Sequence, residues 1–320
     1  MPNEFTVMSD QLRGFAKGVN DLIQRRPEPG SLAAADRVDL RWNGLGASRP
    51  SLEAALLPAI FLGSSADHVR GLAACLEAEG VLFSVISLIR PTLEATASAF
   101  YMLEPGTTPE ERVRRWLNYR LSADVEMLRM VGSPRRPSDG ALHTMERIAE
   151  VTTAAPRHQL KVETGRRIGK LEPERWIGTK TPPSMKLGEA LLDDLSDVDA
   201  SGLLNRLASA VIHSQLHGLT MFMVREEATA SGEYGVMTVP FGISMPKLAG
   251  YTAPLLWGID RCMKRACRYN GHDVNDWTDV ALPVLLDWRE RIRVLEQLPV
   301  SEEHAPTHHG RGGEPGPLGR

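Results

Sequence analysis

The sequence predicts an all-α protein, a multi-helix bundle of about eight helices with one irregular loop insertion. Three observations carry that prediction. Apolar residues recur at helical spacing through nearly every ordered stretch, period-2 alternation is almost absent, and the breaks between stretches are short and rich in Pro, Gly and Ser. Helices are expected near 7–25, 66–104, 109–132, 139–160, 184–196, 201–226, 246–270 and 276–297, with a shorter one near 51–62.

Several of these elements have a physical start or stop. The first is followed by a connector, 26–50, "RPEPGSLAAADRVDLRWNGLGASRP", whose mixed polar and turn content predicts partial order. The 109–132 element opens on "TTPEE", with Thr108 as N-cap, Pro109 at the first helical position, and Glu110 and Glu111 where the macrodipole favours negative charge. "SPRRPSDG" and "TKTPPS" separate the next elements, and "DVNDWTD" supplies polar caps before the last. "GEYGVMTVPFGISMP" is the irregular insertion: Val236 to Ile243 is β-prone but interrupted by Pro240 and Gly242, which suits an ordered loop with a short extended piece. The resulting division is an N-terminal helix and connector over 1–50, a helical bundle over 51–300 and a disordered tail over 301–320.

Composition narrows the classes. The chain has 320 residues, 42% of them apolar and 24% charged, the make-up of an ordinary globular protein. No basic region precedes an apolar run at the start, so a secretory signal is not expected and a cytoplasmic location is. The most apolar run, 81–89, is far shorter than the ~20 residues a membrane helix needs. Cys75, Cys262 and Cys267 lack paired metal-ligand spacing and suit reduced, mostly buried thiols. The net charge of −3 conceals a basic stretch, 109–170, with 13 Lys and Arg against 8 Asp and Glu; dedicated nucleic-acid binders usually show a stronger bias.

The candidate site lies in "LLNRLASAVIHSQLHGLTMF", 203–222. On a helix, Arg206, Ser209, His213, His217 and Thr220 fall within roughly 60° of one line, with Leu204, Leu207, Val211, Leu219 and Phe222 opposite. The stripe lacks the Lys and Glu that normally solvate an exposed face, so partial burial is expected. A second apolar segment, "GVLFSVISLIRPTLEATASAFYML", holds only Arg90 and Glu94 as charges, four apart and on one face. Such a pair is expected to bond internally or to a neighbouring helix, with Pro91 kinking or restarting the helix beside it. A third segment, "ERVRRWLNYRLS", interleaves Arg114, Arg115 and Arg120 with Trp116 and Tyr119, side chains that single-stranded RNA recognition uses for phosphate contact and stacking; the alternative is a helix with aromatics in the core and arginines in water.

"RLASAVIH", an arginine and a histidine separated by six residues on a helix, resembles the R-x4-6-H signature of the HEPN superfamily of helical bundles, many of them RNA-cleaving. "LIRPTLEA" together with "LASAVIHSQLHGL" is also similar to a group of uncharacterised bacterial helical proteins near that superfamily; the resemblance spans about 66–226. It implies a metal-independent endoribonuclease without cofactor, with His213 handling protons for a ribose 2′-hydroxyl and Arg206 stabilising charge on phosphate. It also implies RNA as partner and a homodimer. Leu207 stands where active members usually carry a polar residue.

Three other readings stay open. Arg206, His213 and His217 form a buried polar network with Arg90 and Glu94 in a non-catalytic binding or regulatory protein. Alternatively His213 and His217, with Glu79 or Glu94, hold a metal in the bundle, although Arg206 on that face opposes a cation. Lastly, a cavity between the two helices takes a small molecule, with "RWIGTKTPPS" and "GVMTVPFGIS" flanking it and Trp176, Lys180 and Phe241 at its mouth. No phosphate loop, dinucleotide fingerprint or G-x-S-x-G elbow is present.

Overall fold

The computed structural model describes residues 3–45, 49–78, 82–131, 138–165, 173–193, 200–215, 222, 229–231, 236–238 and 242–297. Among them are ten α-helices: α1 (Glu4–Ile23), α2 (Leu32–Val38), α3 (Pro50–Glu77), α4 (Leu82–Met102), α5 (Pro109–Val131), α6 (Asp139–Ala154), α7 (Ser184–Leu192), α8 (Ala200–Ile212), α9 (Met245–Asn270) and α10 (Val274–Gln297). Two short antiparallel ribbons accompany them. Strand β1 (Val162–Thr164) pairs with β2 (Arg175–Ile177), and β3 (Thr229–Ser231) pairs with β4 (Val236–Thr238). No helix among the described residues is long and apolar enough to cross a membrane.

The predicted all-helical architecture is present, with boundaries that differ for definable reasons. The break expected near 63–65 is absent: α3 runs through it, with Ser65 Oγ donating back to the Phe61 carbonyl at 3.1 Å. Pro58, Pro91, Pro254 and Pro283 are likewise carried inside helices, so Pro91 neither ends nor restarts α4. Beside Pro91, the hydroxyls of Ser87 and Thr92 donate to the carbonyls of Phe83 and Leu88, at 2.9 and 2.6 Å. By contrast, Pro156 does mark a stop, where α6 tightens into a 3-10 turn, Ala155–His158, closed by Gln159 at φ +60°.

Caps fall where short polar side chains allow them. Asn3, Ser31 and Ser138 accept from the first-turn N–H groups of α1, α2 and α6, and Thr108 Oγ1 accepts from Glu111 N at 3.2 Å, as "TTPEE" predicts. The 26–50 connector is more firmly held than its composition suggests. It contains α2, and Trp42 and Leu45 are buried in a core shared with α5 and α6.

Two hydrophobic clusters organise the molecule. The larger joins α1, α3, α4, α7, α8, α9 and α10 around Phe15, Leu62, Ile89, Trp277 and Trp288. The smaller lies under α5 and α6, around Leu117, Leu121, Val151 and Ile177. Helix α4 packs against α3, α7, α8 and α9, while α5 packs against α3, α6 and β2. Of the polar segments singled out by the sequence, those on α4 and α5 lie where the clusters adjoin, while α8 belongs to the larger cluster. The tail 301–320, Glu79, His217, Thr220 and Phe241 lie outside the described residues.

Candidate functional site: a polar cavity beside α4 and α5

Helix α4 carries the Arg90–Glu94 pair. Arg90 Nε donates to Glu94 Oε1 at 2.9 Å, and Ser184 Oγ at the start of α7 donates to the same oxygen at 3.3 Å. The two side chains are 38% and 35% exposed, so the pair lines a boundary instead of being sealed in the core. The i,i+4 spacing has the expected effect, and the partner beyond the pair is α7.

Helix α5 presents its arginines inward. Arg114 bonds Glu111 and donates to the carbonyls of Ile177 and Thr179, fastening β2 to the helix. Arg115, its side chain 9% exposed, bonds Glu111, Glu104 and the Tyr101 carbonyl, with its guanidinium 4.0 Å from the centre of the Tyr101 ring. Burial by itself would raise the Glu111 pKa; hydrogen bonds from Arg114 and Arg115 outweigh it and hold the carboxyl below the usual range. Trp116 is in the core, with the Arg120 guanidinium 5.6 Å from its ring centre. Of the residues expected to contact RNA, Trp116 is in the core, Arg114 and Arg115 are held in ion pairs, Arg120 is half-buried against Trp116 and Tyr119 is half-buried on a cavity wall.

Asn118 completes the attachment of β2. Its side-chain oxygen accepts from Ile177 N at 2.6 Å, and its amide nitrogen donates to the Ile177 and Thr179 carbonyls at 3.2 and 2.9 Å. Gly178 follows at φ +60°, a left-handed conformation that favours glycine, and a Cβ there would lie 3.2 Å from Arg114 Cδ, a tight contact that the arginine would have to relieve. The chain then turns through Lys180, Thr181, Pro182 and Pro183 into α7.

This turn closes a cavity of about 350 Å³ against α4 and α5. Tyr119, Trp176, Lys180, Thr181, Ser184 and Leu187 are among its walls. Tyr119 packs on Phe61 with ring centres 5.1 Å apart. Burial pushes its hydroxyl up to about 12; Ser98 offsets a little of that shift without making a hydrogen bond of good geometry. Tyr119 Oη and Thr181 Oγ1 are both shut from solvent and make no hydrogen bond. Lys180 Nζ bonds Glu174 at 2.8 Å and stands 5.5 Å from the centre of the Trp176 ring. The sequence predicts Trp176 and Lys180 at the mouth of a pocket between α4 and α8, flanked by the "RWIGTKTPPS" loop that holds Thr181; the cavity instead lies against α5 and α7, and no local signal announces Asn118, because its role depends on a ribbon three residues long.

Helix α8 ends differently from expectation. It stops at Ile212 in a Schellman arrangement: Gln215 N donates to Ala210 O at 2.8 Å, Ser214 N to Val211 O at 3.0 Å, and Ser214 has φ +51°. His213 N still donates to Ser209 O at 3.0 Å, so Arg206, Ser209 and His213 keep one face. Leu204, Leu207 and Val211 are buried opposite, as periodicity requires. Arg206 and His213 are exposed and Ser209 half-buried, a wetter face than the lack of Lys and Glu had suggested.

No group of three His, Cys, Asp or Glu able to hold a metal gathers among the described residues. The thiols of Cys75, Cys262 and Cys267 are free, and burial pushes all three up, Cys267 to about 11. Comparison with family models, curated proteins and solved structures found no match to the chain.

Proposed function

We propose that the protein is a non-catalytic helical binding or regulatory protein whose ligand occupies the cavity between α4, α5, β2 and α7. The observation that carries this reading is the cavity wall itself, which combines apolar surface with the buried hydroxyls of Tyr119 and Thr181, the second of them without a hydrogen bond. Buried polar groups are normally satisfied, so a buried hydroxyl without a hydrogen bond on a cavity wall is open to a ligand or a water. The Arg90–Glu94–Ser184 chain supports the wall by tying α4 to α7. A thermal-shift screen of the full chain against small metabolites, followed by calorimetry on any hit, tests it. Saturable binding that Trp176→Ala or Tyr119→Ala weakens is expected; hits that bind those variants as well as the parent protein count against the cavity as the site.

A second reading, the HEPN-like metal-independent endoribonuclease, is favoured by one observation: Arg206 and His213 share a face and are both exposed, as a substrate-facing pair must be. In that reading His213 moves the 2′-hydroxyl proton and Arg206 steadies the phosphate. Incubating structured and unstructured RNA with the protein in a metal-chelating buffer is the test. Cleavage that His213→Ala abolishes without unfolding supports it, and intact RNA ends it. Self-association belongs to either reading. It is supported by exposed apolar side chains on α5 and α6, Met127, Met130, Leu142 and Met145, and light scattering would measure it.

A further inference from the structure

Helix α10 turns one face to the larger cluster and leaves another uncovered. Trp277, Ala281, Val284 and Trp288 are buried, and Val280 packs over Gly18 of α1, so closely that a Cβ there would meet its Cγ1 at 2.5 Å. On the opposite side Asn275, Asp279, Leu282, Leu286, Arg289 and Arg293 follow one another at alternating steps of four and three residues, the seam spacing of a coiled coil. All six are exposed, Leu282 by 47% and Leu286 by 54%. An apolar pair at the centre of such a seam suits a helix that packs on another helix.

The charges along α10 select what packs there. Asp276 pairs with Arg25 of α1, Asp287 with Arg291, and Glu290 with Arg293. Asp279 and Arg289 are left over, and neither makes an ion pair or a side-chain hydrogen bond among the described residues. They stand symmetrically about the leucines, Asp279 three residues before Leu282 and Arg289 three after Leu286. A two-fold axis across the helix at Val284 therefore sets Leu282 on Leu286 of a second copy and Asp279 on its Arg289, and each contact occurs twice. A parallel pairing in register would instead set Asp279 on Asp279 and Arg289 on Arg289, which repel. The exposed methionines of α5 offer no such register, because Glu126 and Arg129 beside Met127 and Met130 already pair with each other. From Asn275 to Arg293 the seam is about 27 Å long. One helix pair of that length covers less than the ~1,600 Å² of a standard interface, so reversible association in the micromolar range is expected.

We propose that the exposed face of α10 docks a second copy of this chain, the two helices antiparallel about Val284, with Leu282 and Leu286 at the centre and Asp279–Arg289 pairs at both ends. The proposal is independent of what the cavity binds. Sedimentation velocity of the full chain over a micromolar concentration series tests it. The parent should pass from monomer to dimer, and Leu286→Asp should weaken association about a hundredfold, since it buries two carboxylates against leucine. Asp279→Arg and Arg289→Asp should each weaken it about tenfold, because two attractive contacts become two repulsive ones. Mixing these two variants in equal amounts should restore the dimer, as every 279–289 contact in the mixed pair again joins opposite charges. At dilutions where the parent is monomeric, each variant should keep its Tm within about 2 °C, since all three positions are exposed. A parent that stays monomeric throughout overturns the proposal. Dimers that survive Leu286→Asp and are lost in Met130→Asp overturn it in favour of α5, and a mixture that fails to restore association overturns the antiparallel register.

Discussion

On α5 the charged side chains are drawn inward: Arg112 reaches Asp36 in the core, Arg115 is enclosed by Glu104, Glu111 and Tyr101, and Arg114 holds a strand by its carbonyls. On α8, Arg206 and His213 face solvent opposite the buried Leu204, Leu207 and Val211. The contrast follows from where acids stand in the chain. Glu111 precedes Arg114 and Arg115 by three and four residues and so meets both on one face. From Gly202 to Ala210, one turn either side of Arg206, the sequence has no Asp or Glu. A charge met by a carboxylate, whether one turn away like Glu111 or distant like Asp36, can be taken out of water, because an unpaired buried ion costs several kcal/mol.

The largest test of that contrast is Asp36→Ala. Arg112 and Asp36 are 4% and 6% exposed at 3.2 Å, and Tyr269 donates to the same carboxylate at 2.7 Å. Removing Asp36 leaves a buried guanidinium and a buried phenol without their acceptor, and urea denaturation should show a loss of about 3–5 kcal/mol. Next is Asn118→Ala, which removes one of the two side chains that attach β2 to α5. A loss of about 1–3 kcal/mol is expected, with altered near-UV signal from Trp176, since Ile177 N loses its acceptor while the Ile177 and Thr179 carbonyls keep only Arg114.

A smaller effect is pH-dependent. Glu111 titrates below its ordinary value of 4.5 in the folded protein, so its contribution is present above about pH 4.5 and disappears as pH falls through the lower, folded value. Acid unfolding followed in parallel for the parent and Glu111→Gln should show the parent losing its advantage over the variant as pH falls below about 4.5. The smallest effects belong to α8. Arg206→Ala and His213→Ala should each change stability by no more than about 0.5 kcal/mol, as exposed substitutions do. Losses on α8 that match those on α5 would show the two faces to be alike, and the contrast would fail.

Much of this organisation was legible in the sequence. The helical period placed Leu204, Leu207 and Val211 inward, the i,i+4 spacing paired Arg90 with Glu94, and "TTPEE" located the α5 start, because each signal acts within one or two turns of chain. The end of α8 was not legible. A Schellman closure usually carries Gly at its left-handed position, and Ser214 occupies it here, so nothing in "VIHSQLH" announces a stop. Nor was the fate of "ERVRRWLNYRLS", since interleaved Arg and aromatic residues read alike whether they stack on bases or on their own fold. The difference lies in Glu104, Tyr101, Ile177 and Thr179, of which the last two are more than fifty residues away.

By itself, then, the sequence determined the helical class, the inward face of α8, the Thr108 cap of α5 and the Arg90–Glu94 pair, all set by backbone periodicity and by contacts within a turn or two. Only the tertiary structure decided which arginines are enclosed, that a ribbon of 162–164 with 175–177 is fastened to α5, and that Tyr119, Trp176, Lys180 and Thr181 surround one space. Those outcomes depend on carbonyls, carboxylates and rings brought from distant parts of the chain. No local period encodes such meetings, because they exist only once the helices have packed.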